Sequence, residues 1–234
     1  MDHIFFLQKW SVWPPIQQDE NDEASIQSER LSFIPKMLRR RLTPLAKIVF
    51  SAAGPCVDEN KNIPAVFSST HGELAKSFAM MEMIEAGEEI SPTTFSLSVH
   101  NSIAGLFSMV YKNKLQATVV APGEEGMAAA FIEALGLMEE GAEEVLIIFY
   151  DEPLVGFYPS EPFQLSSKHS CAIALKVSKS GDGLPIHFRQ LKAEGVAGGG
   201  EQPIQVQMLI KFLADSEKKL LITTTRHNWC WERR

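Results

Sequence analysis

The clearest periodic segment of the chain is an apolar helix between two apolar strands. Six apolar residues recur at the 3.6-residue helical period: Met127, Ala130, Phe131, Ala134, Leu135 and Met138. Gly141 is placed to end this helix. A β-branched run at 115–120 precedes it, and residues 145–150 follow without alternation, as in a strand that is buried on both faces. The pattern predicts a βαβ unit.

The pattern on both sides of this unit predicts further strands and helices. Strands are expected at residues 4–13, 64–69 and 220–225. Helices are expected at 37–53 (with Pro44 as a break or a start), 73–85, 91–112 and 204–213. Loops are expected at 14–31, 152–169 and 194–202. We therefore expect one α/β domain over residues 1–234, with a flexible loop at 14–31 and a tail, 194–234, whose helix and strand pack on the sheet.

We expect the functional side chains of the βαβ unit at the turn between its first strand and its helix. Free backbone N–H groups and the helix dipole concentrate there, and a catalytic Cys or Ser would present its side chain at this point. The residues are instead Gly123, Glu124, Glu125 and Gly126. Acidic residues at a helix start stabilise the helix by about 0.3–1 kcal/mol, and we favour this interpretation of the two glutamates.

The order of the motifs around this turn resembles the N-terminal half of the β-ketoacyl synthases. The motifs are SPTTF, SVHNSIAG, a strand that leads into the small-residue turn, and EALGLMEEGAEEVLI. Weaker similarity extends to VFSSTHGELAKSF upstream and to SCAIALKVS downstream. The resemblance implies an α/β, thiolase-like fold, with a mixed sheet flanked by helices, as a single half rather than the tandem repeat.

The resemblance also implies that the chain is catalytically silent. Counting back from Gly141 without a gap places Glu124 at the nucleophile position, with Glu125 beside it. A carboxylate is a poor nucleophile toward a thioester, whereas a thiolate at a helix start reacts readily. The second half, which supplies two catalytic His in the family, has no counterpart here. We therefore expect no catalytic residue and no independent condensing activity.

Nucleophile-free relatives of this kind are chain-length factors, which pair with an active ketosynthase. Half-length members are associated with bacterial aryl-polyene or polyketide-type synthases. The implied role is to complete the heterodimer and to shape the tunnel for the growing chain on the acyl carrier protein. Carried over, residues 115–120 are the pairing strand. The expected interface residues are Tyr111, Lys114, Leu115, Ala117 and Val119, and the expected tunnel-shaping residues are Phe107 and Met109.

Two other classes of function stay open from the sequence. One is a residual malonyl-carrier decarboxylase, in which Glu124 or Glu125 acts as an acid or a base. The other is an α/β acyl-binding module that only shares the pattern of the family. His71 and His100 are interpreted as hydrogen-bonded structural residues, because no second ligand or base lies at a suitable spacing.

Composition limits the classes of partner and the cellular compartment that we expect for this chain. The formal net charge is −7, which argues against nucleic-acid binding. The basic group Lys36, Arg39, Arg40 and Arg41 is the exception, and it fits a solvated helix start better than a contact with the carrier or partner. Three scattered Cys give neither a disulfide framework nor a zinc site. No apolar run is long enough to span a membrane, so we expect a cytoplasmic protein. We expect neither a metal nor a cofactor.

Overall fold

The molecule is built on one eight-stranded mixed sheet. The computed structural model describes residues 2–16, 22–58, 62–153, 170–192, 202–215 and 217–233. The strands in chain order are β1 (Asp2–Trp13), β2 (Ala65–Ser68), β3 (Ala117–Val120), β4 (Glu144–Asp151), β5 (Cys171–Ser178), β6 (Leu184–Lys192), β7 (Lys219–Thr223) and β8 (His227–Arg233).

The strand order is β3-β2-β4-β5-β1-β6-β8-β7. β2 runs parallel to both of its neighbours, β3 and β4. The other pairings in the described sheet are antiparallel. The carboxyl ends of β2, β3 and β4 therefore meet at one edge of the sheet. β3 is an edge strand of the sheet, and among the described strands it pairs only with β2.

Helices cover both faces of the sheet. They are α1 (Glu23–Arg30), α2 (Lys36–Arg39), α3 (Pro44–Ala53), α4 (Leu74–Glu85), α5 (Pro92–Ser96), α6 (Ser102–Tyr111), α7 (Ala128–Glu139) and α8 (Gln202–Ala214). None of the helices in the described ranges is long and apolar enough to cross a membrane.

Two hydrophobic cores form because alternate strand residues face opposite sides of the sheet. On β4, Val145, Ile147 and Phe149 enter the core with α7 and α8. Leu146, Ile148 and Tyr150 enter the other core, with α3 and α6. Burial on both faces explains why residues 145–150 lack hydrophobic alternation in the sequence.

The predicted βαβ unit is confirmed. β3, α7 and β4 occupy the expected segments, although β3 begins only at Ala117. The mixed sheet flanked by helices is confirmed as well. Pro44 starts α3, as the sequence allowed.

Three predictions about local elements are corrected. The range 14–31, predicted as a loop, contains α1, and residues 17–21 of it lie outside the described residues. Arg30 anchors this polar helix, because its guanidinium donates to the backbone oxygen of Ser51 at 2.8 Å and lies 5.4 Å from the Trp13 ring. The single helix expected at 91–112 is two helices, α5 and α6. The strands β5, β6 and β8 were not predicted.

The tail does more than pack on the sheet. α8 packs on the α7 side of the sheet, as its apolar positions Val206, Leu209 and Phe212 show. β7 and β8 instead extend the sheet through β6. Trp231 of β8 reaches the helix layer, with its ring 5.4 Å from that of Phe131 on α7. Residues 193–201, with most of the predicted glycine linker, and 154–169 of the predicted connection lie outside the described residues.

Candidate functional site

The candidate site is the edge of the sheet where the parallel strands β2, β3 and β4 end. Ser69, just after β2, donates its backbone N–H to Val120, the last residue of β3, at 3.2 Å. Asp151 ends β4 at the same edge. The turn that follows β3 carries the two glutamates singled out by the sequence. The first turn of α8 lies against this edge, so the tail takes part in the site.

The turn after β3 has a specific shape that includes a glycine with positive φ. Gly123–Glu125 form one 3-10 turn, and Gly126 adopts φ 58° and ψ −137°. α7 begins only afterwards, at Ala128, and has no acidic residue in its first turn. The two glutamates therefore precede the first turn of α7 rather than lie in it, which differs from the expected helix start. The Glu124 side chain is outside the part that the structure describes.

Glu125 is tied to the hairpin of β7 and β8. The indole N–H of Trp229 donates to Glu125 Oε2 at 2.6 Å. The hydroxyl of Thr224 lies 3.3 Å from the same oxygen, and His227 Nδ1 lies 3.4 Å from Oε1. A carboxylate that accepts such a charge-assisted bond is held as a structural acceptor.

Gln205 of α8 closes the turn from the other side. Its Oε1 accepts the backbone N–H of Met127 at 3.0 Å, so one donor at the start of α7 is already used. Gln205 is fully buried. A Cβ atom at Gly126 would lie 2.0 Å from Gln205 Oε1, and only glycine fits both this contact and the positive φ.

Gln202, one turn earlier on α8, joins the ends of β2 and β4. Its side-chain amide donates to the backbone oxygen of Ser68 at 3.0 Å and to Asp151 Oδ2 at 2.9 Å. The hydroxyl of Ser68 donates back to Gln202 Oε1. Gln202 and Gln205, in the first turn of α8, cover the strand ends with hydrogen-bonded side-chain amides. We call this pair of amides the polar seal.

Asp151 is the buried acid at the centre of this seal. The hydroxyl of Ser69 and the backbone N–H of Thr70 donate to its Oδ1 at 3.0 and 2.8 Å. Burial raises the pKa of the Asp151 carboxyl to about 6, while these hydrogen bonds and that from Gln202 oppose the rise. The group therefore serves as an acceptor that organises the loop after β2.

Glu73, at the start of α4, is the second buried acid. The hydroxyl of Thr43 donates to Glu73 Oε1 at 2.5 Å. Burial raises the pKa of the Glu73 carboxyl to about 7, and the nearby Glu152 adds to the rise. This carboxyl therefore changes its charge near neutral pH.

The two histidines singled out by the sequence differ in environment, and the cysteines are buried. His100 Nε2 lies 3.0 Å from the backbone oxygen of Ser69, as expected of a structural histidine. His71 Nε2 is buried and lacks a partner among the described residues, so its expected hydrogen bond is not found. Burial raises the pKa of the Cys56 and Cys171 thiols to about 12 and 11. Within the described residues no His, Cys, Asp and Glu cluster could hold a metal ion.

The predicted interface residues lie along one side of the molecule. Leu115 is 46% exposed, Lys114 is exposed, and Ala117 and Val119 are half-buried on β3. Tyr111 packs inward, with its ring 4.6 Å from that of Phe107. Between α6 and β3 lies a groove of about 500 Å³, lined by Asn101, Ala104, Gly105, Ser108, Ala117 and Val119.

The two predicted tunnel residues differ in environment. Phe107 is fully buried, and its ring lies 5.3 Å from that of Phe67 and 6.2 Å from that of Phe50. It belongs to the core and does not line the surface groove. Met109, by contrast, is 49% exposed. Of the two, only Met109 presents its side chain to the surface.

Sequence reasoning did not find the residues that seal the site. Trp229 reaches Glu125 across 104 positions of the chain, and such a distant contact leaves no periodic signal. A signal existed for Gln202 and Gln205, since two amides three residues apart sit at the start of an apolar helical pattern. Polar residues on such a face predict buried polar partners.

The fold is similar to that of ketosynthase complexes. A chain of the ketosynthase ApeO in complex with its chain length factor ApeC from Xenorhabdus doucetiae superposes with a TM-score of 0.77 at 20% identity, covering 98% of this chain and 99% of that chain. The AntDE:AntF complex, described as a type II PKS acyl-carrier protein in complex with its ketosynthase bound to the hexaketide, gives 0.63 at 11% identity, covering 99% of both chains.

A third structure, the ishigamide ketosynthase/chain length factor, gives a TM-score of 0.59 at 14% identity, covering 81% of this chain and 67% of that chain. At these identities the similarity establishes the fold, which is the ketosynthase, thiolase-like fold. No curated protein sequence matches the chain. The family model for the β-ketoacyl synthase N-terminal domain matches residues 10–232. The chain therefore belongs to the β-ketoacyl synthase N-terminal domain family, as its motifs predicted.

Proposed function

We propose that this chain is a catalytically silent, chain-length-factor-like partner of an active β-ketoacyl-[acyl carrier protein] synthase. The observation that carries the proposal is the turn after β3. It holds Gly123, Glu125 and Gly126 in the described structure, and it is sealed by Gln205 and Trp229. A family fold without an available nucleophile is suited to assembly with an active subunit rather than to condensation.

The edge strand β3 supports a heterodimer. The backbone oxygens of Gln116 and Val120 accept hydrogen bonds from the β2 side, from Ala65 and Ser69. Since backbone groups of successive residues point to opposite sides of a strand, those of Val119 point outward. An edge of this kind, which no second strand of the described residues pairs with, readily adds a strand from another chain. β3, with Leu115 at its entry, is the proposed pairing strand.

Substitution of Val119 by proline tests this pairing directly. Proline removes an outward-facing N–H and leaves the hydrogen bonds to β2 in place. Val119→Pro is expected to weaken capture of the cognate ketosynthase strongly, whereas Val119→Thr keeps the N–H and should bind as the parent does. Equal binding of the two variants would argue against strand pairing at β3.

We also propose that the groove between α6 and β3 forms part of the wall of the partner's acyl tunnel. Small side chains line it at Ala104, Gly105 and Ser108, and the exposed Met109 lies on the same helix. The partner would cover this groove when it pairs with β3. Side chains here then set the length at which the growing acyl chain stops, in polyene, polyketide or fatty acid synthesis.

The acyl carrier protein is proposed to reach the complex rather than this chain alone. An acidic carrier protein gains little electrostatic attraction from a chain whose formal charge is −7. A local exception is a groove of about 430 Å³ whose lining includes Lys36, Arg39, Arg40 and Lys47. It supports a secondary contact with the carrier protein, and charge reversal at Arg39 and Arg40 is expected to weaken that contact.

The alternative of a residual decarboxylase, or of an acyl-binding module that uses the glutamates, has less support. Glu125 already accepts the indole N–H of Trp229. Release of CO₂ from malonyl carrier by the parent, lost in Glu125→Gln, would favour the decarboxylase. For the leading proposal, a partner of an active ketosynthase, we also propose a cytoplasmic location.

A further inference from the structure

Helices α4 and α5 form an arm whose outer side stays exposed in the described chain. The α4–α5 arm is defined here as residues 74–99. Neither α4 nor α5 contains a fully buried residue. The large apolar side chains Met81, Ile84 and Phe95 are 51%, 59% and 59% exposed, and Val99 is exposed as well. Met81 and Ile84 are three residues apart and share one side of α4, and exposed apolar side chains grouped in this way are typical of an interaction surface.

Side-chain contacts join α4 to the segment after α5. The hydroxyl of Ser77 donates to the backbone oxygen of Ser98 at 2.9 Å. The hydroxyl of Ser98 lies 3.8 Å from the sulfur of Met80. α4 has 12 residues, and its inner positions, such as Leu74 and Phe78, are only half-buried. Because tertiary packing supplies most helix stability, a surface that covers the exposed side of the arm would stabilise α4.

The charges of the arm select between possible partners. It carries Glu82, Glu85, Glu88 and Glu89 against one basic residue, Lys76, which gives it a formal charge of −3. All four glutamates are exposed. Because like charges repel, a second copy of this chain, itself at −7, is a poor partner for this face. A surface with an apolar centre and a rim of Lys or Arg fits it.

The position of the arm joins it to the proposed heterodimer interface. Its last residue, Val99, leads through His100 and Asn101 into α6, whose residues Ala104, Gly105 and Ser108 line the groove beside β3. His100 fixes this junction to the backbone oxygen of Ser69, next to the end of β3. One partner could therefore cover both the edge strand and the arm.

We infer that the α4–α5 arm docks on the ketosynthase partner, on an apolar surface rimmed by basic side chains, and that this contact orders α4. The inference rests on the proposed function. Met81, Ile84 and Phe95 are the anchors, and methionines suit such a face because they adapt to the shape of the opposing surface.

The test compares arm variants with a matched control in binding to the cognate ketosynthase. Met81→Ser with Ile84→Ser is expected to weaken binding roughly tenfold or more. Met37→Ser with Met208→Ser replaces exposed apolar residues elsewhere, and it should bind as the parent does. Glu82→Lys with Glu85→Lys should slow association and reduce its salt dependence.

Amide hydrogen exchange gives a second measurement that does not depend on a variant. Residues 74–85 are expected to exchange rapidly in the free chain and to become protected in the complex. If the parent binds the ketosynthase, and neither the arm variants nor the exchange respond, the arm inference is overturned while the proposed function stands. If the parent binds no ketosynthase, the proposed function fails and the inference fails with it.

Discussion

Trp229 donates its indole N–H to the carboxylate of Glu125 at 2.6 Å. This bond joins the hairpin of β7 and β8 to the turn after β3, which the sequence resemblance predicts to be the nucleophile position of active family members. On the opposite side, Gln205 accepts the N–H of Met127. The turn is therefore held from two directions by the tail of the same chain, and the tail accounts for both its shape and its closure.

Trp229→Phe should destabilise the fold through loss of this bond. The Trp229 ring stacks on Phe188 with centroids 5.3 Å apart, and phenylalanine can keep that contact. Loss of a hydrogen bond to a charged group is expected to lower the free energy of unfolding by about 1.5–3 kcal/mol. Urea unfolding of the parent, Trp229→Phe, Glu125→Gln and the double variant measures the coupling. Additive effects would contradict a direct interaction.

Gly126→Ala should destabilise the fold more than an ordinary surface substitution. Its positive φ and the contact with Gln205 both exclude a Cβ atom, for an expected loss of about 2–4 kcal/mol. Gly136→Ala, in the interior of α7 where a Cβ meets nothing within 4 Å, should instead stabilise by about 0.5–1 kcal/mol. Combining Gly126→Ala with Gln205→Ala should restore part of the loss. Thermal unfolding that ranks the two glycine variants in the reverse order would refute this description of the turn.

Glu73 should make stability depend on pH. Burial raises the pKa of its carboxyl from an ordinary 4.5 to about 7. The folded state therefore binds the proton more tightly than the unfolded state, and this contribution is present below pH 4.5 and is lost as the pH rises through 7. Glu73→Gln keeps an acceptor for Thr43 and should be more stable than the parent at pH 8, by up to about 3 kcal/mol. Urea unfolding at pH 5 and pH 8 checks this, and an unchanged pH dependence in the variant would count against it.

Gly105→Leu should shorten the product of the reconstituted complex. Gly105 lines the groove between α6 and β3, and a Cβ there meets nothing within 4 Å. The side chain can therefore project into the proposed tunnel wall without disturbing the core. Met109→Ala should have the opposite effect and lengthen the product. Mass spectrometry of the carrier-bound products reports the length, with Gly105→Ala as the control. Products of identical length from all variants would show that the groove is not part of the tunnel wall.

The sequence predicted the central βαβ unit because its periodicity is explicit. Six apolar positions on one face of α7 and an unbroken apolar β4 leave few alternatives. Helix α1 was missed, because its stability depends on contacts of Arg30 with Ser51 and Trp13 rather than on its own polar pattern. β6 and β8 bury only alternate or central residues, such as Ile186 and Phe188, which give weak signals.

The candidate site was located from the sequence, but its chemistry was not. The strand-turn-helix pattern placed Glu124 and Glu125 in the turn after β3, where the structure has them. Their correspondence to a nucleophile position stays a prediction. The partners of Glu125 come from a hairpin whose strand β8 was not predicted, so its role as an acceptor for Trp229 could not be inferred. The buried acids Glu73 and Asp151 depend in the same way on tertiary burial, which local patterns do not report.

The central claim is tested most directly by co-expression of the chain with the ketosynthases of its own genome, followed by size-exclusion chromatography with mass determination and an elongation assay. The account predicts a one-to-one complex with one ketosynthase, and elongation of carrier-bound acyl chains only when both subunits are present. A chain that elutes alone beside every ketosynthase, or a ketosynthase that elongates equally well without it, would contradict the account.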